Sequence, residues 1–306
     1  VRAGSRLEVL TGRGEFVVTA EVNPPAAADP SRLRETARAV AGCADAYNVT
    51  ENNRALVKMA SWAASVVLVQ EGLEPVMQVV TRDRNRMALQ ADILGASALG
   101  VRNVLCLKGD PPSAGNEKEA KAVDDVTPEQ MLSMFRQLRD EGRLMGGDEV
   151  EVRPKLFLGG TSNPFGGDYK IGAEVLAKRV EAGADFVQTQ AIYDVAAFEK
   201  FMDEVRARGL HGRVAIIGGV IPLKSGKMAR YMREKVPGII IPESIMERME
   251  GTNNPEVEGV KVTLEILEDL RKVRGLAGVH IMPVGWEKKL RAIVEGAGLM
   301  PRPAPV

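Results

Sequence analysis

Apolar residues in this chain collect in short runs, and the stretches between the runs carry apolar positions at helical spacing. Eight runs predict strands: Phe16–Glu21, Ala46–Thr50, Pro75–Val80, Asn103–Lys108, Lys155–Gly159, Asp185–Gln190, Val214–Gly218 and Val279–Met282. Several are continuous rather than alternating, as in Val214-Ala215-Ile216-Ile217. A continuous run predicts burial on both faces, the condition of a parallel sheet covered by helices.

The segments between them carry helix signals. Asp29-Pro30-Ser31 offers an acceptor at the N-cap with Pro at the first helical position. Thr127-Pro128-Glu129-Gln130 has the form of a capping box, and Val257, Val260, Leu264 and Leu267 recur at helical spacing. Eight strand–helix units in 306 residues predict an α/β fold, a single (β/α)8 TIM-type barrel. It would fill residues 1–306, with a short N-terminal extension and a Pro-rich tail, Pro301 to Val306, that reads as extended or frayed. A doubly wound open sheet is the alternative, but the glycine fingerprint expected after its first strand is missing. Two spacings are uneven. A long polar stretch, Pro111 to Pro154, separates the fourth and fifth strands. An extra apolar run, Gly238–Ile241, reads as a strand-like connector into a short helix, or else as a barrel strand in its own right.

Composition narrows the function classes. The 41 basic and 41 acidic residues cancel, which argues against nucleic acid as a partner. Cys43 and Cys106 stand far apart, and only His211 and His280 occur. Neither a metal cluster nor a histidine triad is expected, and the cysteine usage fits a reducing compartment. The longest mostly apolar run, Trp62 to Val69, is too short to cross a bilayer, and no signal pattern opens the chain. The expectation is a cytoplasmic protein without membrane association. The lack of an initiator Met points to processing or trimming.

In a parallel barrel the ligand site lies at the C-terminal ends of the strands. The last residues of the predicted strands are Glu21, Thr50, Gln78, Lys108 with Gly109 and Asp110, Gly159-Gly160, Gln190 and Gly218-Gly219. Glu21, followed by Asn23-Pro24-Pro25, is either a solvated carboxylate or an acid raised in pKa by a pocket. Asp110, between Gly109 and Pro111, is either a turn residue or a partner for N–H groups of a heterocycle. Gln188 and Gln190 share one face; Gln190 is either a satisfied core amide or a contact to a pterin-like edge. Gly159-Gly160-Thr161-Ser162-Asn163-Pro164 reads as a glycine-rich loop. Lys224, Lys227, Arg230, Arg233 and Lys235 read as a solvated helix face.

These motifs in this order resemble the methylenetetrahydrofolate reductase family, from about Phe16 to Leu299. Ala20-Glu21-Val22-Asn23-Pro24-Pro25 resembles F-E-x-x-P-P, Leu107-Lys108-Gly109-Asp110 resembles L-R-G-D, and Thr189-Gln190 with Tyr193-Asp194 resembles T-Q-x-x-[FY]-D. Asn48-Val49-Thr50 and Gly219-Val220-Ile221-Pro222 match shorter motifs. The resemblance implies a β/α barrel with a flavin at its mouth that reduces 5,10-methylenetetrahydrofolate to 5-methyltetrahydrofolate. It assigns Glu21 as the acid, Asp110 as the aspartate near pterin and flavin, and Gln190 as the pterin contact. Thr50, Gln78, Lys108, Gly109, Asp110, Ala122, Asp124, Asn163, Lys178 and Arg179 fall where the family contacts the flavin. No metal is implied.

Departures shape the expectation. Gln78 and Asn163 replace histidines, Lys108 replaces an arginine, and Gly172 and Val175 stand where the family often has polar flavin contacts; FAD is expected, with FMN left open. Gly226 stands where an aromatic residue commonly stacks on nicotinamide or folate. His280-Ile281-Met282 keeps only the His of H-F-Y-T-L-N-R. Direct reduction by NAD(P)H is therefore in question. The resemblance is closer to divergent forms that work in oligomers with a redox, zinc or iron–sulfur partner subunit supplying electrons. A pterin methyltransferase on the same barrel and a non-catalytic folate-binding subunit are the competing classes.

Overall fold

The structure, a computed structural model, describes residues 1–304. Eight parallel strands close into one barrel in sequence order: β1 (Val17–Val22), β2 (Ala46–Val49), β3 (Pro75–Val80), β4 (Asn103–Leu107), β5 (Phe157–Ser162), β6 (Phe186–Ala191), β7 (Ala215–Val220) and β8 (Gly278–Ile281). The helices are α1 (Arg6–Gly12), α2 (Ser31–Val40), α3 (Ser61–Gln70), α4 (Arg86–Ala98), α5 (Pro128–Asp140), α6 (Tyr169–Ala182), α7 (Val195–Ala207), α8 (Gly226–Lys235), α9 (Glu243–Gly251), α10 (Pro255–Leu270) and α11 (Leu290–Gly296). The closed (β/α)8 expectation holds, and the open-sheet alternative falls because β1 pairs with both β2 and β8.

Local chemistry explains the boundaries. The Thr127 capping box forms, with Pro128 opening α5. At α2, Pro30 itself is the cap, so the helix begins at Ser31, one residue later than expected, and Asp29 accepts from the Ser31 backbone and hydroxyl. On α10 the helix is as predicted, but its buried face is Val262, Ile266, Leu267 and Leu270, while Val257 is exposed. Gly159–Ser162 belong to β5 rather than to a loop. Gly159 must lack a side chain there, because a Cβ would lie 2.3 Å from the Phe186 ring. Gly238–Ile241 is an irregular connector into α9, held by buried Ile239 and Ile241. The basic run lies on α8 and its approach, and Arg230 and Arg233 pair with Glu250 and Glu243 of α9.

The N-terminal end of the barrel is plugged. Leu7 and Leu10 of α1 pack into a cluster with Val17, Val76, Leu105, Phe157, Phe186 and Ile217 from inside the strands. Glu74 anchors the plug by accepting from the Arg6 and Leu7 backbone N–H groups at 2.5 and 2.9 Å, an anion set against a helix N-terminus. Asp45, fully buried, accepts from the Val18 backbone and pairs with Arg6 and Arg302. The beginning of the tail is therefore tied down rather than frayed: Arg302 also donates to the Phe16 and Leu299 carbonyls. Residues 305–306 of the predicted tail lie outside the described residues. Asp185 repeats the Asp45 arrangement on the far side, accepting from Leu158 N and pairing with Arg139. With both ends of the strands' lower layer locked this way, the open end is the C-terminal mouth. Among the described residues no helix is long and apolar enough to cross a membrane.

Candidate active site

A cavity of about 470 Å³ opens at the C-terminal mouth, within the usual range for small-molecule sites. Two larger hollows, about 520 and 690 Å³, open at the opposite face. Of their acidic groups, Glu74 and Asp45 anchor the plug and the tail, Glu8 accepts from the Arg2, Ala3 and Gly4 backbone N–H groups, Asp185 pairs with Arg139, and Glu15 is exposed at the rim. The mouth cavity is different in kind: Glu21, Gln78, Lys108, Gly109, Asp110 and Gln190 converge on it from four strands.

Glu21 is the next-to-last residue of β1 and is partly buried. Desolvation pushes its carboxyl up to about 7, assisted by the negative charge of Glu287 and opposed by a hydrogen bond from Asn23. Asn23 Nδ2 donates to Glu21 Oε1 at 3.2 Å. The amide cannot turn over freely, because its oxygen accepts from Thr50 Oγ1 at 3.1 Å and from Asn53 Nδ2 at 2.8 Å. Two donors on one amide oxygen fix the NH2 toward the acid.

The β4 corner is built on Gly109, whose φ of +86° favours glycine. A Cβ there would press on Val80 and the Arg82 guanidinium at 3.2 Å. Arg82 is buried and donates to the Asp110 carbonyl and the Asn52 carbonyl while pairing with Asp83. Asp110 itself is exposed, and its Oδ2 accepts from Arg54 N at 3.0 Å. Asn52, Arg54 and Ala55 all have positive φ, a strained turn of the sort that collects at ligand sites. Gln190 is aimed by a bulge between Gln188 and Ala191 in the β6–β7 pairing. Its Oε1 accepts from Ala191 N, which leaves the NH2 end for a ligand. Gly219 makes the bulge feasible: a Cβ there would sit 2.4 Å from the Thr189 carbonyl oxygen.

Below these groups lies a layer of neutral polar residues. Asn48 Nδ2 donates to Gln188 Oε1 at 2.6 Å, and Gln188 Nε2 returns bonds to Asn48 Oδ1 and Thr19 Oγ1. Thr19 Oγ1 lies 2.9 Å from His280 Nδ1. All four residues are buried. Gln188 is thus a satisfied core amide, whereas Gln190 faces the cavity.

Of the residues singled out from sequence, Glu21, Gln78, Lys108, Gly109, Asp110, Asn163, Arg179 and Gln190 line the cavity. Thr50 does not; it is buried and spends its hydroxyl on Asn23. Ala122 and Asp124 lie in the exposed β4–α5 loop, with Asp124 accepting from Thr81 Oγ1 and Thr81 O accepting from Asp124 N. Lys178 is exposed on α6 and lies outside the cavity lining. Arg82, Asn23, Thr19 and His280 were not singled out for roles. Asn23, beside the Glu21 motif, and His280, the retained His of the eighth-strand motif, carried a local signal; Arg82 and Thr19 sit in runs without one. Gly226, in place of an aromatic, packs under α9, where a Cβ would meet Glu250 Cγ at 2.9 Å.

Fold and site together define a TIM-type barrel whose mouth offers one raised carboxyl, one exposed carboxylate and amide groups to a polar heterocycle. A family profile described as methylenetetrahydrofolate reductase matches residues 6–298. The chain belongs to the methylenetetrahydrofolate reductase family. It is 28% identical over 215 residues to methylenetetrahydrofolate reductase 2 of Schizosaccharomyces pombe, covering 67% of this chain and 33% of that one. It is 24% identical over 234 residues to 5,10-methylenetetrahydrofolate reductase of Salmonella typhimurium, covering 75% of this chain and 72% of the relative. The chain spans about a third of the length of the first eukaryotic relatives it matches. Among solved structures, a Clostridium thermocellum protein that binds two copies of 5-methyl-5,6,7,8-tetrahydrofolic acid superposes with a TM-score of 0.64. It is 14% identical and covers 96% of this chain and 98% of its own; at that identity the likeness concerns the fold.

Proposed function

We propose that this chain reduces 5,10-methylenetetrahydrofolate to 5-methyltetrahydrofolate with a bound flavin, and that Glu21 is the general acid. The observation that carries the reading is a carboxyl at about 7 in a cavity shared with Asp110 and Gln190. Cleavage of the N10–methylene bond leaves the electron pair on N10, which must be protonated. An acid near neutral pKa is the efficient donor. Asp110, fixed by Arg54 N, places an acceptor where positive charge develops on the opened folate. The Gln190 NH2 binds an acceptor edge of the pterin.

The remaining lining residues suit a flavin. Arg179 Nε and Ser162 Oγ are buried in the cavity wall without a hydrogen-bond partner, although the Arg179 guanidinium lies against Glu129. Buried polar groups are rarely left unsatisfied, and a ligand carbonyl or phosphate would satisfy them. Gln78, Lys108, Gly109 and Asn163 complete that wall, and Gly109 brings backbone close to a flat ring. The flavin would supply hydride to the folate methylene carbon. FAD is favoured and FMN fits the same wall. Because Gly226 lies under α9, an aromatic nicotinamide platform has no room there. Electrons then arrive through a redox partner subunit, in an oligomeric, cytoplasmic enzyme.

The test is anaerobic. Purified protein should be yellow, and its flavin bands should bleach on adding 5-methyltetrahydrofolate. A folded, colourless sample that neither FAD nor FMN reconstitutes would refute the reading. With NADH as sole donor, turnover should be slow relative to a reduced dye; rapid NADH oxidation by the isolated chain would remove the partner from the scheme.

A further inference from the structure

Arg82 follows β3 and is 4% exposed, yet it does not line the mouth cavity. It joins three loops that meet at the rim. Its backbone N–H donates to the Lys108 carbonyl at 3.3 Å, and its Nη1 donates to the Asp110 carbonyl at 2.8 Å. Those bonds hold the residues on either side of Gly109, the corner at positive φ. Arg82 Nη2 donates to the Asn52 carbonyl at 3.4 Å, in the loop after β2. The Asp83 carboxylate ties the two side chains together, accepting from Arg82 Nε and Nη2 at 2.6 and 2.7 Å and from Asn52 Nδ2 at 3.1 Å. The Asn52 amide can be oriented only one way, because its oxygen accepts from Lys58 N at 2.9 Å. Asn52 opens the turn in which Asn52, Arg54 and Ala55 all have positive φ. Such backbone persists only where its surroundings hold it. From this turn the Arg54 N–H reaches Asp110 Oδ2. Two more contacts press the β4–α5 loop onto the same turn. Val57 N donates to Asn116 Oδ1 at 3.0 Å, and a Cβ on Gly115 would lie 1.7 Å from the Ala55 carbonyl oxygen.

We infer that Arg82 is a positioning residue for folate reduction: it clamps the β4 corner to the strained turn after β2 and so fixes the Asp110 carboxylate toward the opened folate. The inference rests on the folate reading above and extends it to a residue that reading left without a role. Asp110 is exposed, so burial does not hold its carboxylate. The turn holds it, and Arg82 holds the turn. The contribution is one of shape. Asp83 already meets the guanidinium charge, whereas the planar fork reaches two carbonyls and a carboxylate at once, which an ammonium cannot do.

The test is a double-mutant cycle on the flavin-loaded chain, with reduced dye as donor and 5,10-methylenetetrahydrofolate as substrate. Asp110→Asn should lower kcat by about a hundredfold. Arg82→Met should lower it by about tenfold, the scale of a misplaced group, with flavin content unchanged. In the Asp110→Asn background the same Arg82→Met change should lower kcat by less than about twofold, because its effect passes through the carboxylate already removed. Arg82→Lys should behave as Arg82→Met does. Hydrogen exchange supplies a readout that needs no activity: in Arg82→Met the Arg54 and Val57 amides should exchange about tenfold faster while the barrel strands keep their protection. If Arg82→Met does not fold, Asp83→Ala loosens the same clamp from a carboxylate that is 26% exposed, and should give the same pattern at smaller amplitude. Equal losses of kcat in both Asp110 backgrounds, wild-type kcat in Arg82→Lys, or loss of flavin overturns the positioning role. Unchanged exchange at Arg54, or faster exchange throughout the barrel, overturns the clamp whatever the function. Wild-type protein that reduces no folate refutes the functional reading and the positioning role with it, and the exchange result still judges the clamp.

Discussion

Replacing Glu21 by Gln should make the enzyme inactive and, above neutral pH, more stable. The carboxyl stands at about 7 in the folded chain against 4.5 without the fold. Between those values the native state holds a proton that the unfolded state has released. Stability is therefore full below about pH 4.5 and is lost as pH rises toward 7. The difference corresponds to about 3 kcal/mol at pH 8 and less than about 1 kcal/mol at pH 5. Unfolding entropy of about 2 cal/mol/K per residue makes this about 5 °C in Tm for a chain of this length. The glutamine keeps an oxygen for the Asn23 NH2 and removes the charge beside Glu287. Calorimetry of the two proteins from pH 5 to pH 8, without folate, gives the comparison. The Tm gap should open with pH while folate reduction falls by two orders of magnitude or more, the usual scale of a lost general acid. A gap that stays constant with pH, or a variant less stable at pH 8, would refute a desolvated carboxyl at this position. Near-normal turnover would remove Glu21 from the acid role.

Asn23→Ala deletes the one hydrogen bond that favours ionised Glu21, so the alkaline limb of the activity profile should move up by about one pH unit; an unmoved limb would show that Asn23 does not position the acid. Gly109→Ala forces a side chain to φ +86° against Val80 and Arg82 and should cost about 1–3 kcal/mol in urea unfolding together with loss of flavin; a neutral result would mean the corner can relax. Arg302→Ala leaves the buried Asp45 with one cation fewer and should cost about 3 kcal/mol, read by denaturation, without altering folate affinity; an effect on folate binding instead would couple the plugged end to the mouth.

The barrel was legible in the chain because burial on both faces leaves continuous apolar strands, and all eight were found near their true bounds. Where the boundary slipped, as at Gly159–Ser162, glycine reads locally as loop, while its use here is to admit the Phe186 ring from the next strand. Glu21, Asp110 and Gln190 could be named from sequence because each lies close to the C-terminal end of a strand, and closure brings strand ends to one rim. That Glu21 is raised to about 7, that Thr50 serves Asn23, and that Gln188 is consumed in the floor while Gln190 is not were decided only in three dimensions. Those facts depend on which atoms lie within hydrogen-bond reach across strands separated by 27 to 261 positions, and no local pattern carries that information. The same holds for the tail, where Arg302 reads as solvent-exposed until Asp45, at the far end of the chain, gives it a buried partner.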